Sequence, residues 1–310
     1  MYRVGIDLSK GRCLVFLLGV WFAWSGAWAQ EESAKGLAGT ATGAQERSGV
    51  STGLGELALS RAYPDAAVWL DLEEGDRALG LFHPERELPA KGALLVLADA
   101  GETAASGVSG SLAEHLADRG WAVLTVGLDA PSPTIQRLLE RPPEVVEKSP
   151  GDGEASSVMI DVMESESAEG GAEAAYRDRV RRVLEAGVTE LADREYGKVA
   201  LVGIGRASNH LVALSEVQQN LRAMIWVAPV FYPRDEATLV SRLGEGNAPP
   251  LLELYDSVSV DSAPGRQWAL NLLRAGLENF VHQPAALHQP LSAQDGQSLA
   301  SRINGWLKTQ

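Results

Sequence analysis

Lys198-Val199-Ala200-Leu201-Val202-Gly203-Ile204-Gly205-Arg206-Ala207-Ser208-Asn209-His210 is the stretch that decides the fold. Val199 to Val202 is an unbroken apolar run, the pattern of a strand buried on both faces, as in the middle of a parallel sheet. Gly203 and Gly205 then supply a tight turn. Ser208 begins a helical pattern at the place where a serine side chain satisfies free amides. A buried strand, a glycine corner and a helix form half of a βαβ unit.

The same grammar extends in both directions. Upstream, Gly92–Ala98 reads as a second strand buried on both faces, Ser109–Gly120 as a helix closed by glycine, and Trp121–Leu128 as a further strand. Ahead of them, Ala66–Leu72 and Arg77–His83 form β-rich runs joined through Glu73-Glu74-Gly75-Asp76, which predicts an antiparallel hairpin. A helix is predicted from Ala174 to Arg194, where Val180, Val183, Leu184, Val188 and Leu191 recur at helical spacing. Downstream of the glycine turn the pattern predicts a helix over Ser208–Val217, then strands at Ala223–Ala228 and Pro250–Tyr255 separated by a polar loop. A helix over Ala263–Ala275, a strand near Phe280–His282 and a closing helix over Ala293–Leu307 complete the chain. The fold class is therefore α/β, a mostly parallel sheet flanked by helices with an N-terminal antiparallel hairpin.

The amino terminus reads differently. Lys10 and Arg12 precede an apolar run from Cys13 to Trp24, followed by Ala27-Trp28-Ala29, the pattern of a signal peptide cut before Gln30. That run falls short of the roughly 20 residues of a spanning helix, so no stable membrane insertion is expected after cleavage. The expected location is periplasmic or secreted. The sole cysteine lies inside this segment, which leaves no thiol for a disulfide, a metal or catalysis in the processed chain. Residues 30–58, rich in Gly, Ala, Ser and Thr, read as a flexible tether, and 59–310 as the folded domain.

The whole chain carries a net charge of -14, and loss of residues 1–29, with Arg3, Lys10, Arg12 and Asp7, takes it to -16. Nucleic acid and anionic lipid are poor partners for such a protein. Between Glu144 and Glu173 nine acidic residues face the single Lys148. Together with Pro131, Pro133, Pro142, Pro143 and Pro150 this run marks 130–172 as an acidic, disordered insertion. It is either a solvated loop or a docking segment for a basic partner.

The order of elements resembles the α/β-hydrolase fold. In that fold the nucleophile sits in a G-x-S-x-G elbow, followed in sequence by an acid and then a histidine. Here the frame reads Gly203-Ile204-Gly205-Arg206-Ala207, with glycine at the nucleophile position. Asp256, directly after Leu251-Leu252-Glu253-Leu254-Tyr255, occupies the place of the acid, and His288 that of the histidine. The resemblance also places oxyanion donors at Gly101, in Asp99-Ala100-Gly101-Glu102, and at the Arg206 amide. Both glycines are equally explained as ordinary turn residues. The exported amino terminus, Gly120-Trp121, Gly203-Ile204-Gly205, Leu254-Tyr255-Asp256 and the closing Ser301-Arg302-Ile303-Asn304-Gly305-Trp306-Leu307 are similar to a secreted proteobacterial family of unknown function, distantly related to α/β-hydrolases.

These residues imply a degenerate hydrolase, a pseudo-enzyme that binds a small molecule or an envelope protein without a cofactor. The alternative is an active esterase or peptidase-like hydrolase with a relocated nucleophile, for which Ser208 is the candidate. A third reading makes the acidic insertion the working part. Gly203-x-Gly205-x-x-Ser208 also approximates a dinucleotide fingerprint, but the next strand ends in Trp226-Val227-Ala228-Pro229 with no acid for a ribose. His83, His115 and His282 show no metal-ligand spacing.

Overall fold

The computed structural model describes residues 55–72, 75–143, 159–218, 220–244, 248–257, 262–277 and 279–310. The expected signal, nearly all of the tether and residues 144–158 of the expected insertion lie outside them. By contacts the chain divides into Met1–Gly49 and Val50–Gln310, and every described residue belongs to the second unit.

Eight strands form one sheet: β1 (Ala67–Asp71), β2 (Arg77–His83), β3 (Ala93–Ala100), β4 (Ala122–Leu128), β5 (Val199–Ile204), β6 (Ala223–Val227), β7 (Leu251–Asp256) and β8 (Phe280–Ala285). Their spatial order is β1-β2-β4-β3-β5-β6-β7-β8. The β1–β2 and β2–β4 pairings are antiparallel and every other pairing is parallel. The chain crosses from β3 to β4 on one side, then returns to lay β5 on the other side of β3. Crossovers diverge between β3 and β5, and the carboxyl ends of such a strand pair border the crevice where open α/β sheets bind ligands.

Helices cover both faces because the central strands are apolar at nearly every position, so both faces must be buried. On one face Leu112 and Leu116 of α2 (Gly107–Ala117), with Leu299 and Ile303 of α8 (Gly296–Leu307), pack on Val96, Val202, Ile225 and Leu252. On the other, Leu184 and Leu191 of α4 (Met159–Asp193), Leu211 of α5 (Ala207–Val217) and Leu272 of α7 (Ser262–Arg274) meet Leu95, Leu201 and Trp226. Each such side chain, fully buried, contributes about 1.5–3 kcal/mol. Trp226, Phe231 and Trp268 meet edge to face with centroids 5.0–5.7 Å apart, pinning α7 to β6.

Four helices depart from the sequence reading. The expected polar loop between β6 and β7 contains α6 (Pro233–Gly244), whose Leu239 and Leu243 are buried. A proline at the helix start, Asp235 and Glu236 in the first turn and the i, i+4 leucine pair are the signals of this helix. Within the expected insertion, Pro133–Leu139 is helical (α3), capped by the Ser132 hydroxyl accepting from the Ile135 amide. There α4 also begins at Met159 rather than Ala174 and runs through Gly170-Gly171, residues that each cost a helix about 1 kcal/mol. The insertion is thus helical at both ends. A short helix, α1 (Glu56–Ala62), begins inside the range expected for the tether.

Candidate functional site

The glycine corner forms as the sequence predicts. Gly205 follows β5 with φ +56°, a left-handed conformation that glycine adopts without a Cβ penalty. Its amide donates to the Val227 carbonyl at 2.9 Å, and its carbonyl accepts from the Val230 amide at 3.1 Å. The corner is locked further by Asn209, which is 1% exposed. The Asn209 Nδ2 donates to the carbonyls of Arg206 and Val230 at 2.7 and 2.9 Å, and its Oδ1 accepts from the Tyr232 amide at 2.9 Å. One side chain thereby fixes the segment after β6 to the start of α5.

Above Gly205 stands Asp99, from the end of β3. Its Oδ1 accepts the Arg206 amide at 2.8 Å and the Ala100 amide at 2.7 Å. A Cβ built on Gly205 would lie 2.3–2.5 Å from the three carboxylate atoms of Asp99, so a side chain there requires the Asp99 carboxylate to move. Gly101, expected as an oxyanion donor, instead gives its amide to the Leu128 carbonyl at 2.8 Å. The two amides that converge here are those of Ala100 and Arg206. Close by, burial, and then the charge of Asp99, raise the pKa of Glu102.

Ser208, the candidate relocated nucleophile, is fully buried, and its hydroxyl donates to the Gly203 carbonyl at 3.4 Å. His210, one turn along α5 from Ala207, is also buried and packs edge to face against Tyr176 of α4. Burial, with help from the Arg177 charge, pushes its pKa down to about 3, so this imidazole is neutral at neutral pH. Arg206 turns outward: its guanidinium lies 5.0 Å from the Tyr232 ring centroid and pairs with Glu140, just beyond α3, at 3.0 Å.

Asp256 ends β7 and His288 lies in the segment after β8, so both stand at the carboxyl ends of their strands. The hydrogen bond of the His288 ring is to Asp295: Nδ1 lies 2.8 Å from Oδ1, and the His288 amide donates to the same oxygen at 3.1 Å. Asp295 is also the acid of a capping box, its Oδ2 accepting from the Ser292 amide. Burial alone would raise the Asp295 pKa, but these bonds outweigh it and hold the carboxyl below its ordinary value. Asp256 is buried and accepts from Nε2 of Gln289, the residue next to His288, at 3.1 Å.

Sequence reasoning missed three of these groups. Asp295 has a local signal, since Ser292-Ala293-Gln294-Asp295 ahead of an amphipathic run fits a capping box. Asp99 and Gln289 have none. Among the described residues no group of three or more His, Cys, Asp or Glu side chains is arranged to hold a metal. No helix among them is long and apolar enough to cross a membrane.

Known structures share this architecture. An esterase domain from Rhodothermus marinus superposes with a TM-score of 0.50 at 11% identity, covering 77% of this chain and 96% of its own. A dienelactone hydrolase from Anabaena variabilis gives 0.50 at 14% identity, with 78% and 96% covered. A soluble variant of a monoglyceride lipase from Saccharomyces cerevisiae gives 0.51 at 11% identity, with 77% and 94% covered. At such identities the likeness shows the fold alone. The search of curated proteins gave no match. A family model described as protein of unknown function DUF3530 matches residues 12–309. The chain belongs to the DUF3530 family and is built on the α/β-hydrolase fold.

Proposed function

We propose that this is an exported protein that has kept the hydrolase fold, does not turn over esters, and uses the crevice at the carboxyl ends of its strands to bind a small molecule or an envelope protein. The observation that carries the reading is Gly205: the elbow position has no oxygen to attack with, and the space above it holds the carboxylate of Asp99. Acyl transfer at this corner needs a nucleophile there and a base within hydrogen-bond reach. Ser208, the alternative, directs its hydroxyl to a backbone carbonyl in the interior. Export rests on the basic, apolar and Ala-Trp-Ala segments of residues 1–29.

Purified protein incubated with short p-nitrophenyl esters and with a fluorophosphonate probe tests the reading. The expected result is no turnover and no covalent adduct. An adduct mapped to Ser208, with ester turnover, would replace this reading by a relocated serine hydrolase.

A further inference from the structure

We infer that Asp99 is a resident occupant of the oxyanion hole, an internal carboxylate that keeps acyl groups out of the site, and that Gly205 is glycine because Asp99 is there. The inference rests on the non-hydrolytic reading above and adds a second, separate block to the missing hydroxyl. An oxyanion hole is a pair of converging backbone N–H donors, one from the residue after the nucleophile and one from the loop after β3. Arg206 holds the first place and Ala100, the last residue of β3, stands at the edge of the second, and both amides donate to one oxygen of Asp99, at 2.8 and 2.7 Å. Bonds from amides to an ionised carboxylate are stronger than those to a neutral carbonyl. A substrate carbonyl would therefore have to displace a charged group that is covalently tethered and already in position.

The carboxylate and the glycine depend on each other. The Gly205 Cβ position lies 2.3 Å from Oδ2, 2.4 Å from Cγ and 2.5 Å from Oδ1 of Asp99. Any side chain at 205 must expel the carboxylate, and its expulsion leaves both amides without that acceptor. Restoring a hydroxyl at 205 alone therefore cannot restore a working hole, since the new side chain and the old carboxylate claim the same volume.

The test is a double-mutant cycle read by urea unfolding, with Gly205→Ala measured in the natural and the Asp99→Ala backgrounds. The penalty of a positive φ is common to both backgrounds and cancels. The remaining coupling should make Gly205→Ala at least about tenfold less damaging to the unfolding equilibrium once Asp99 is gone. Sodium formate, a free carboxylate, should raise the Tm of Asp99→Ala saturably and return the Ala100 and Arg206 amide resonances toward their natural positions. Sodium chloride at equal ionic strength should do neither. Should Asp99→Ala fail to fold, Asp99→Ser, whose shorter side chain can turn away from Gly205, carries the same cycle. Equal cost of Gly205→Ala in both backgrounds, or formate without effect on the two amides, overturns the inference. Ester turnover by the natural protein would instead overturn the non-hydrolytic reading, so the two failures are distinct.

Discussion

Asn209→Ala is the sharpest test of how the corner is held. In the folded protein this side chain donates to two carbonyls and accepts one amide, all within 2.9 Å, from a position 1% exposed. Truncation removes all three bonds but does not orphan all three partners, because the Arg206 carbonyl still receives the Asn209 backbone N–H at 3.2 Å. The Val230 carbonyl and the Tyr232 amide lose this partner. The Tyr232 bond is buried whereas Val230 is an exposed residue, and a buried polar group left unpaired costs about 1–3 kcal/mol, so the predicted loss is about 1–3 kcal/mol. That is a large share of the ~5–15 kcal/mol that holds a typical domain. Urea unfolding followed by tryptophan fluorescence should show a lower midpoint with an unchanged m-value. A loss below about 1 kcal/mol would mean that water reaches these groups or that the loop re-pairs, and the rigid corner argued here would be refuted.

The other outcomes are related. Gly205→Ser should cost about 4 kcal/mol or more, from a positive φ worth about 1–2 kcal/mol and the loss of two charge-assisted bonds to Asp99, and it should gain no esterase activity; unfolding midpoints and ester assays read both. His210, with its pKa lowered to about 3, stays neutral in the fold while the unfolded chain takes up a proton below its ordinary value near 6.5. Its contribution to stability is therefore complete above pH 6.5 and falls toward pH 3, by about 2 kcal/mol at pH 5, so His210→Leu should flatten that stretch of the stability curve measured by urea unfolding. Asp295, whose pKa is lowered, has the same sign in a more acid window: its contribution is present above the ordinary carboxylate value and lost as pH falls through the folded one. Thermal melts of Asp295→Asn should show a lower Tm at pH 7 and a weaker fall in acid than the natural chain.

The sheet was legible because its strands announce themselves. Val199–Val202 and Gly92–Ala98 are continuous apolar runs, and Trp121–Leu128 follows a glycine stop, so their burial and parallel pairing follow from pattern alone. The helix α6 was missed because Pro233, Arg234, Asp235 and Glu236 make its first turn look like a polar loop, while its core contact comes only later, from Leu239, Val240 and Leu243. At the site, the positions of Gly205, Asp256 and His288 could be read from their order, since each follows a recognisable strand. Their partners could not. Gln289 reaches Asp256 across 33 positions, a pairing fixed by the geometry of the loop after β8 rather than by local spacing. His288 meets Asp295 because the chain doubles back into a capping box, which a search for a distant triad acid overlooks.

The bond between Asp99 and the Arg206 amide joins groups 107 positions apart in the chain. During synthesis β3 and β4 can leave the ribosome together, but the third member of that central trio comes only after α4. Through that interval the Asp99 carboxylate has only water and its own neighbours for company, and the growing sheet keeps an open flank at β3. The seating of this one acid therefore marks the moment at which the two halves of the sheet close on each other.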